Sequence, residues 1–153
     1  MTLRSGSVRR TPAASPLYDR FVGYHVADAS TVEWEHRPPA VEGQQPRQIV
    51  DVTELASLQN SRGRLWRYPP KTRGRRHADK AQEEVFVVLA GTLTMQLGEP
   101  PERIDVGPLS VVAVEPGTPL LVRNEGDEEL VLYIYGAPPD QAGADFFEDL
   151  GDL

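Results

Sequence analysis

Between residues 63 and 136 the chain passes through six short runs: GRLWRY (63–68), EVFVVLAG (84–91), TLTMQLG (92–98), LSVVAV (109–114), PLLVRN (119–124) and ELVLYIYG (129–136). Val, Leu, Tyr and Thr dominate them, residues that suit a pleated, half-buried surface. The connecting stretches LAGT, GEPPE, EPGTP and NEGDEE are turn sequences. Runs this short, at this rhythm and without helical periodicity between them, predict an all-β sandwich or barrel rather than alternating βα units. A chain of 153 residues has room for one such domain.

The flanks are less regular. Residues 1–18 carry no periodic apolar pattern and are expected to be a disordered tail. Residues 19–59 are expected to supply N-terminal strands that pack on the barrel or swap between barrels. FVGYHVADASTVEW (21–34) reads as short strand-like pieces, and RPPAVEGQQPR (37–47) as a loop. QIVDVTEL (48–55) reads as a strand that bends near Asp51 into one helical turn. The barrel itself is expected over 60–138. The acidic segment 139–153 offers Asp140 as a cap, with Phe146 and Leu150 four apart, and predicts a short C-terminal helix.

Composition removes several kinds of chemistry. There is no cysteine, so disulfides, thiolate metal sites and cysteine nucleophiles are excluded, and a cytoplasmic location is expected. The basic, serine-rich start lacks the apolar stretch of a secretory signal, and the apolar runs are too short to span a bilayer. No membrane association is expected. A net charge of −7 argues against nucleic acid as a partner. Residues 62–80 depart from this balance, with Arg62, Arg64, Arg67, Lys71, Arg73, Arg75, Arg76 and Lys80 against the single acid Asp79. Such a segment can steer an anionic small molecule, a carboxylate or phosphate, or simply balance an acidic surface. No nucleophile elbow or phosphate-binding glycine loop is present.

Strand alternation narrows the candidate site. His77 and Asp79 share a face if their segment is extended, as do Glu84, Phe86 and Val88 on the next strand. Two adjacent antiparallel strands would bring His77, Asp79 and Glu84 to one inner wall. One imidazole and two carboxylates can ligate a divalent metal, while the plainer reading pairs the carboxylates with arginines. Arg64, Trp66 and Phe86 are further candidate ligand contacts. Tyr133 and Tyr135 share one face of the last run, and Leu132 and Ile134 the other. The tyrosines contact a ligand if they face inward, and a neighbouring strand or subunit if they face outward.

The run His77-Ala78-Asp79, four residues, Glu84, six residues and Gly91 resembles the first motif of the cupin family, H-x-H followed by E and G at that spacing. Gly107, then Pro116, Gly117, Pro119 and Asn124, resembles the second. The resemblance implies a double-stranded β-helix, or jelly-roll, barrel and often a homodimer. It also implies metal ligands at His77, Asp79 and Glu84, with Asp79 standing where the motif has a second His. The histidine of the second motif is replaced by Leu120, which offers no lone pair and dries that side of the pocket. Glu115 stands in place of the motif's first Pro, and Lys71 where a Gly normally precedes the first His. The reading preferred is therefore a small-molecule-binding cupin with a degenerate metal site. Its ligand contacts are Arg64, Trp66, His77, Phe86, Leu120, Tyr133 and Tyr135, and it carries either no cofactor or a weakly bound Mn, Zn, Fe or Ni ion. A metal-dependent dioxygenase or isomerase, and a non-catalytic structural or regulatory module, remain the alternatives.

Overall fold

The computed structural model of the chain describes residues 23–139 and 142–148. Its strands are β1 (Glu35–Arg37), β2 (Arg47–Asp51), β3 (Arg62–Tyr68), β4 (Thr72–Arg73), β5 (His77–Asp79) and β6 (Glu83–Ala90). The second half adds β7 (Leu93–Leu97), β8 (Glu102–Val106), β9 (Val111–Val114), β10 (Leu120–Asn124), β11 (Leu130–Ala137) and β12 (Ala144–Phe146). They form two antiparallel sheets, in the orders β1-β2-β3-β11-β6-β9 and β12-β5-β10-β7-β8, with β4 paired to β10. The chain crosses from sheet to sheet at β5–β6–β7 and again at β9–β10–β11, the winding of a jelly roll. All six runs read as strands are strands.

The core lies between the sheets. Phe86 and Val88 on β6 and Leu130 and Leu132 on β11 face Met95 on β7 and Leu120 on β10, all at most 2% exposed. Burial of side chains this size stabilises the fold by roughly 1.5–3 kcal/mol each as an upper estimate. Gly91 closes the β6–β7 turn at φ 78°, and a Cβ there would sit 2.6 Å from the Glu129 carbonyl oxygen. Only glycine permits both the left-handed backbone and that approach.

The flanks follow the expectation in part. β2 ends at Asp51, whose Oδ1 accepts from the Glu54 N–H at 3.3 Å and starts the helical turn α1 (Val52–Leu55). Residues 23–34, expected to hold strand-like pieces, contain a 3-10 turn at Ala29–Thr31 and no strand. Asp28 accepts there from both the backbone and the hydroxyl of Ser30, a local bond that competes with a ladder. The short C-terminal helix is also corrected. Ala144–Phe146 is strand β12, paired with the edge strand β5 through Ala144–Asp79 and Phe146–His77. A helix of a few residues does not repay its nucleation cost, whereas an open strand edge satisfies the backbone at once. Asp140, Leu150 and the tail 1–18 lie outside the described residues. Among those described, no helix is long and apolar enough to cross a membrane.

Candidate functional site

The register of the first sheet sets the site in rows across its inner face. Cross-strand partners share a face, so Arg62 on β3, Gly136 on β11 and Glu84 on β6 form one row. Asp51, Arg64, Ile134 and Phe86 form the next. Ile49, Trp66, Leu132 and Val88 form the third. Polar groups therefore occupy one end of the sheet and the apolar floor the other.

A cavity of about 460 Å³ opens over the first rows. From this sheet it receives Arg62, Arg64, Trp66, Glu84, Phe86 and Ile134; from the facing side, His77, Asp79, Val122 and Phe146. Arg47 enters from β2, its guanidinium 5.2 Å from the Trp66 ring and 5.4 Å from the Tyr68 ring, donating to the Tyr68 hydroxyl at 3.3 Å. Arg75 caps the rim, 4.0 Å over the Phe146 ring.

Arg47, Arg62, Arg64 and Arg75 all border this space, yet none reaches a carboxylate within ion-pair distance among the described residues. Burial, and then the like charge of Arg62, hold the Arg64 guanidinium below its ordinary pKa, against the opposing charges of Asp51 and Glu84. The Nε of Arg47 is buried with no hydrogen-bond partner. Burial likewise pushes the Tyr68 phenol up, partly offset by Arg47.

His77 and Glu84 do meet, but across the barrel rather than on one wall, because β5 and β6 belong to different sheets. His77 Nδ1 is held by the Arg75 carbonyl at 2.9 Å, leaving Nε2 3.5 Å from Glu84 Oε2. That distance is electrostatic contact rather than a formed hydrogen bond, and Glu84 Oε2 is buried without a donor. Burial opposes a charge on His77, but Glu84, the bond to the Arg75 carbonyl and the charge of Asp79 together raise its pKa above the ordinary value.

The third expected ligand is committed elsewhere. Asp79 Oδ1 accepts from the N–H groups of Ala81 at 3.0 Å and Gln82 at 2.8 Å, fixing the turn from β5 into β6. Leu120 lies directly opposite His77 in the β10–β5 ladder and is 1% exposed, so the place of the missing imidazole is filled by core. Among the described residues no three of His, Asp and Glu gather as a ligand set. The donors present do not fit a resident divalent metal, which needs at least three protein ligands at this kind of site.

Of the expected ligand contacts, Arg64, Trp66, His77, Phe86 and Tyr135 border the cavity. Leu120 does not; it belongs to the floor beneath it. Tyr133 does not either. It pairs with Leu65 and Val87 on the outer face, and Tyr135 with Gly63 and Val85, their rings 5.8 Å apart. Tyr135 reaches the cavity edge beside Gly136. Arg47 and Phe146 were not among the expected contacts, since they come from the flanking strands β2 and β12, outside the family motifs.

The cupin domain family pattern matches residues 64–135, the segment that carries both motifs and the two-sheet winding. Residues 64–135 are a cupin domain. Solved structures agree on the fold. A protein with a double-stranded β-helix domain from Klebsiella pneumoniae superposes with TM-score 0.58 at 18% identity, covering 74% of this chain and 90% of that one. A predicted oxalate decarboxylase from Thermotoga maritima gives 0.63 at 14%, covering 74% and 98%. KdgF from a Halomonas species gives 0.59 at 13%, covering 74% and 94%. No curated protein matches the sequence. This cupin retains the barrel and the Glu of the first motif, and departs from the family's ligand set at Asp79 and Leu120.

Proposed function

We propose that this cupin binds a small anionic molecule, a carboxylate, in the cavity between its sheets. The observation that carries the reading is the set Arg47, Arg62 and Arg64, three guanidinium groups lining one cavity with no acid in ion-pair reach among the described residues. Partly buried cations without a carboxylate in ion-pair reach cost stability. An anion satisfying them recovers that cost on binding, through charge-assisted and bidentate hydrogen bonds. Trp66, Phe86 and Ile134 supply apolar wall for the rest of the molecule, the usual division of labour in a small-molecule pocket. The metal-dependent dioxygenase or isomerase reading requires a third ligand that Asp79 and Leu120 do not supply.

The test compares 3-phenylpropionate with its uncharged amide in thermal unfolding and calorimetry on the full chain. The acid raises the apparent stability and the amide does not, because only a ligand selective for the folded state shifts the transition. Equal effects of acid and amide, or none from a panel of small carboxylates, would sink the reading.

A further inference from the structure

The cavity has a second pole that the anion reading leaves unused. Arg62 and Glu84 stand in the same row, one on either side of Gly136. Neighbouring strands lie about 4.8 Å apart, so the two backbones are separated by roughly 10 Å, with no side chain on the strand between them. The buried Gln82 side chain packs over Gly136, its oxygen 2.8 Å from where a Cβ at this position would sit. The row thus offers a cationic end and an acceptor end, with the Gln82 side chain between them. Glu84 Oε2 is buried, makes no hydrogen bond, and lines the same cavity as Arg62 and Arg64. His77 Nε2 faces it at 3.5 Å, and with Nδ1 anchored to the Arg75 carbonyl the ring offers a donor there only when protonated.

We propose that the ligand is a carboxylate bearing a hydrogen-bond donor, a hydroxyl or ammonium group close to the carboxylate, with the anion on Arg62 and Arg64 and the donor on Glu84. This rests on the anion reading and adds selectivity to it. A site whose buried acceptor is left empty by a ligand without a donor discriminates against that ligand. Glu84, the residue that the family motif assigns to metal, acts here as the acceptor that chooses among acids.

The experiment uses three probes with one carbon skeleton: phenyllactate, phenylalanine and 3-phenylpropionate, carrying a hydroxyl, an ammonium or a hydrogen at the same carbon. Their affinities are measured by calorimetry on wild type, Glu84→Leu and Glu84→Gln. In wild type at least one donor-bearing probe binds about 10-fold more tightly than 3-phenylpropionate. Which one does so separates hydroxyl from ammonium. The ratio collapses toward one in Glu84→Leu. Glu84→Gln keeps the shape, loses the charge and lowers the ratio several-fold, which decides the matter should the leucine variant fail to fold. If 3-phenylpropionate binds wild type as well as the other two, or if the ratio persists in both variants, the inference falls while the anion reading stands. If none of the three binds, the anion reading falls and takes the inference with it.

Discussion

Two groups of arginines sit on opposite sides of the second sheet, and their surroundings differ. Outside the barrel, Arg76 reaches Glu99 at 2.5 Å, Arg103 reaches Asp105 at 3.0 Å and Glu125 at 2.6 Å, and Arg123 reaches Glu125 at 3.2 Å. Inside, Arg47, Arg62 and Arg64 border the cavity without such partners among the described residues. The contrast separates cations matched by acids from cations with no acid in ion-pair reach among the described residues. Matching charges on the outer face are a structural arrangement, whereas unmatched charges in a half-open, aromatic-walled space cost stability that a ligand can return.

The sharpest way to break this comparison is to exchange the expected effects. Arg64→Ala is expected to weaken binding of small carboxylates by about 10- to 100-fold, the scale of a lost charge-assisted hydrogen bond, while leaving the unfolding midpoint unchanged or slightly raised. Burial and Arg62 disfavour the charge that the substitution removes and outweigh Asp51 and Glu84, which favour it. Arg76→Ala should do the reverse: about 1–3 kcal/mol lost in denaturant unfolding, since it removes a buried partner, with carboxylate affinity intact. If the Arg64 variant loses stability and keeps affinity, the two groups do not differ in kind.

A smaller effect tests the pair at the boundary. The folded-state pKa of His77 lies above its ordinary value, so its stabilisation is fully present below about pH 6.5 and is lost as pH rises through the folded value. The gap in urea midpoint between wild type and His77→Gln should therefore be widest near pH 5.5 and narrow toward about pH 8.5. A gap independent of pH would show that His77 carries no linked proton. The smallest expected effect is that of metal. Protein purified without chelator, or exposed to Mn, Zn, Fe or Ni, is expected to hold no stoichiometric ion that depends on His77. Metal present in wild type and absent from His77→Ala would restore the ligand set that Asp79 and Leu120 break.

How far the chain could be read varies by segment. Six strands within residues 62–137, β3, β6, β7, β9, β10 and β11, were legible because alternation of apolar residues and the turns between them are both local signals. β8, with its sequence ERIDV, was not, because a polar strand near a sheet edge has no apolar pattern to betray it. The helix expected around Phe146 failed for a related reason. Spacing of four suits a helix, but a vacant edge on β5 and the His77 ring 6.0 Å from that of Phe146 decided for a strand. The faces of Tyr133 and Tyr135 could not be chosen from alternation alone, since either face was consistent with a strand. Register chose it, by placing Leu130, Leu132 and Ile134 opposite Tyr68, Trp66 and Arg64.

The stretch from His77 to Gly91, together with the glycine and prolines before Leu120, identified the barrel and the wall of its cavity from residue types and spacing alone. Those quantities report on the backbone, which repeats locally. The sequence could also show that residues 62–80 are rich in arginine, but not which of those cations find acids. The acids that pair with it, Glu99, Asp127, Glu129 and Asp145, lie some twenty to sixty-five residues beyond that segment, and Arg47, which joins Arg62 and Arg64, lies before it. Partner choice depends on which strands become neighbours and which face each side chain takes, and both are settled only when the two sheets close on each other. Tertiary structure alone therefore turned a run of basic residues into two populations, and left Glu84 Oε2 buried without a hydrogen bond, 3.5 Å from His77 Nε2.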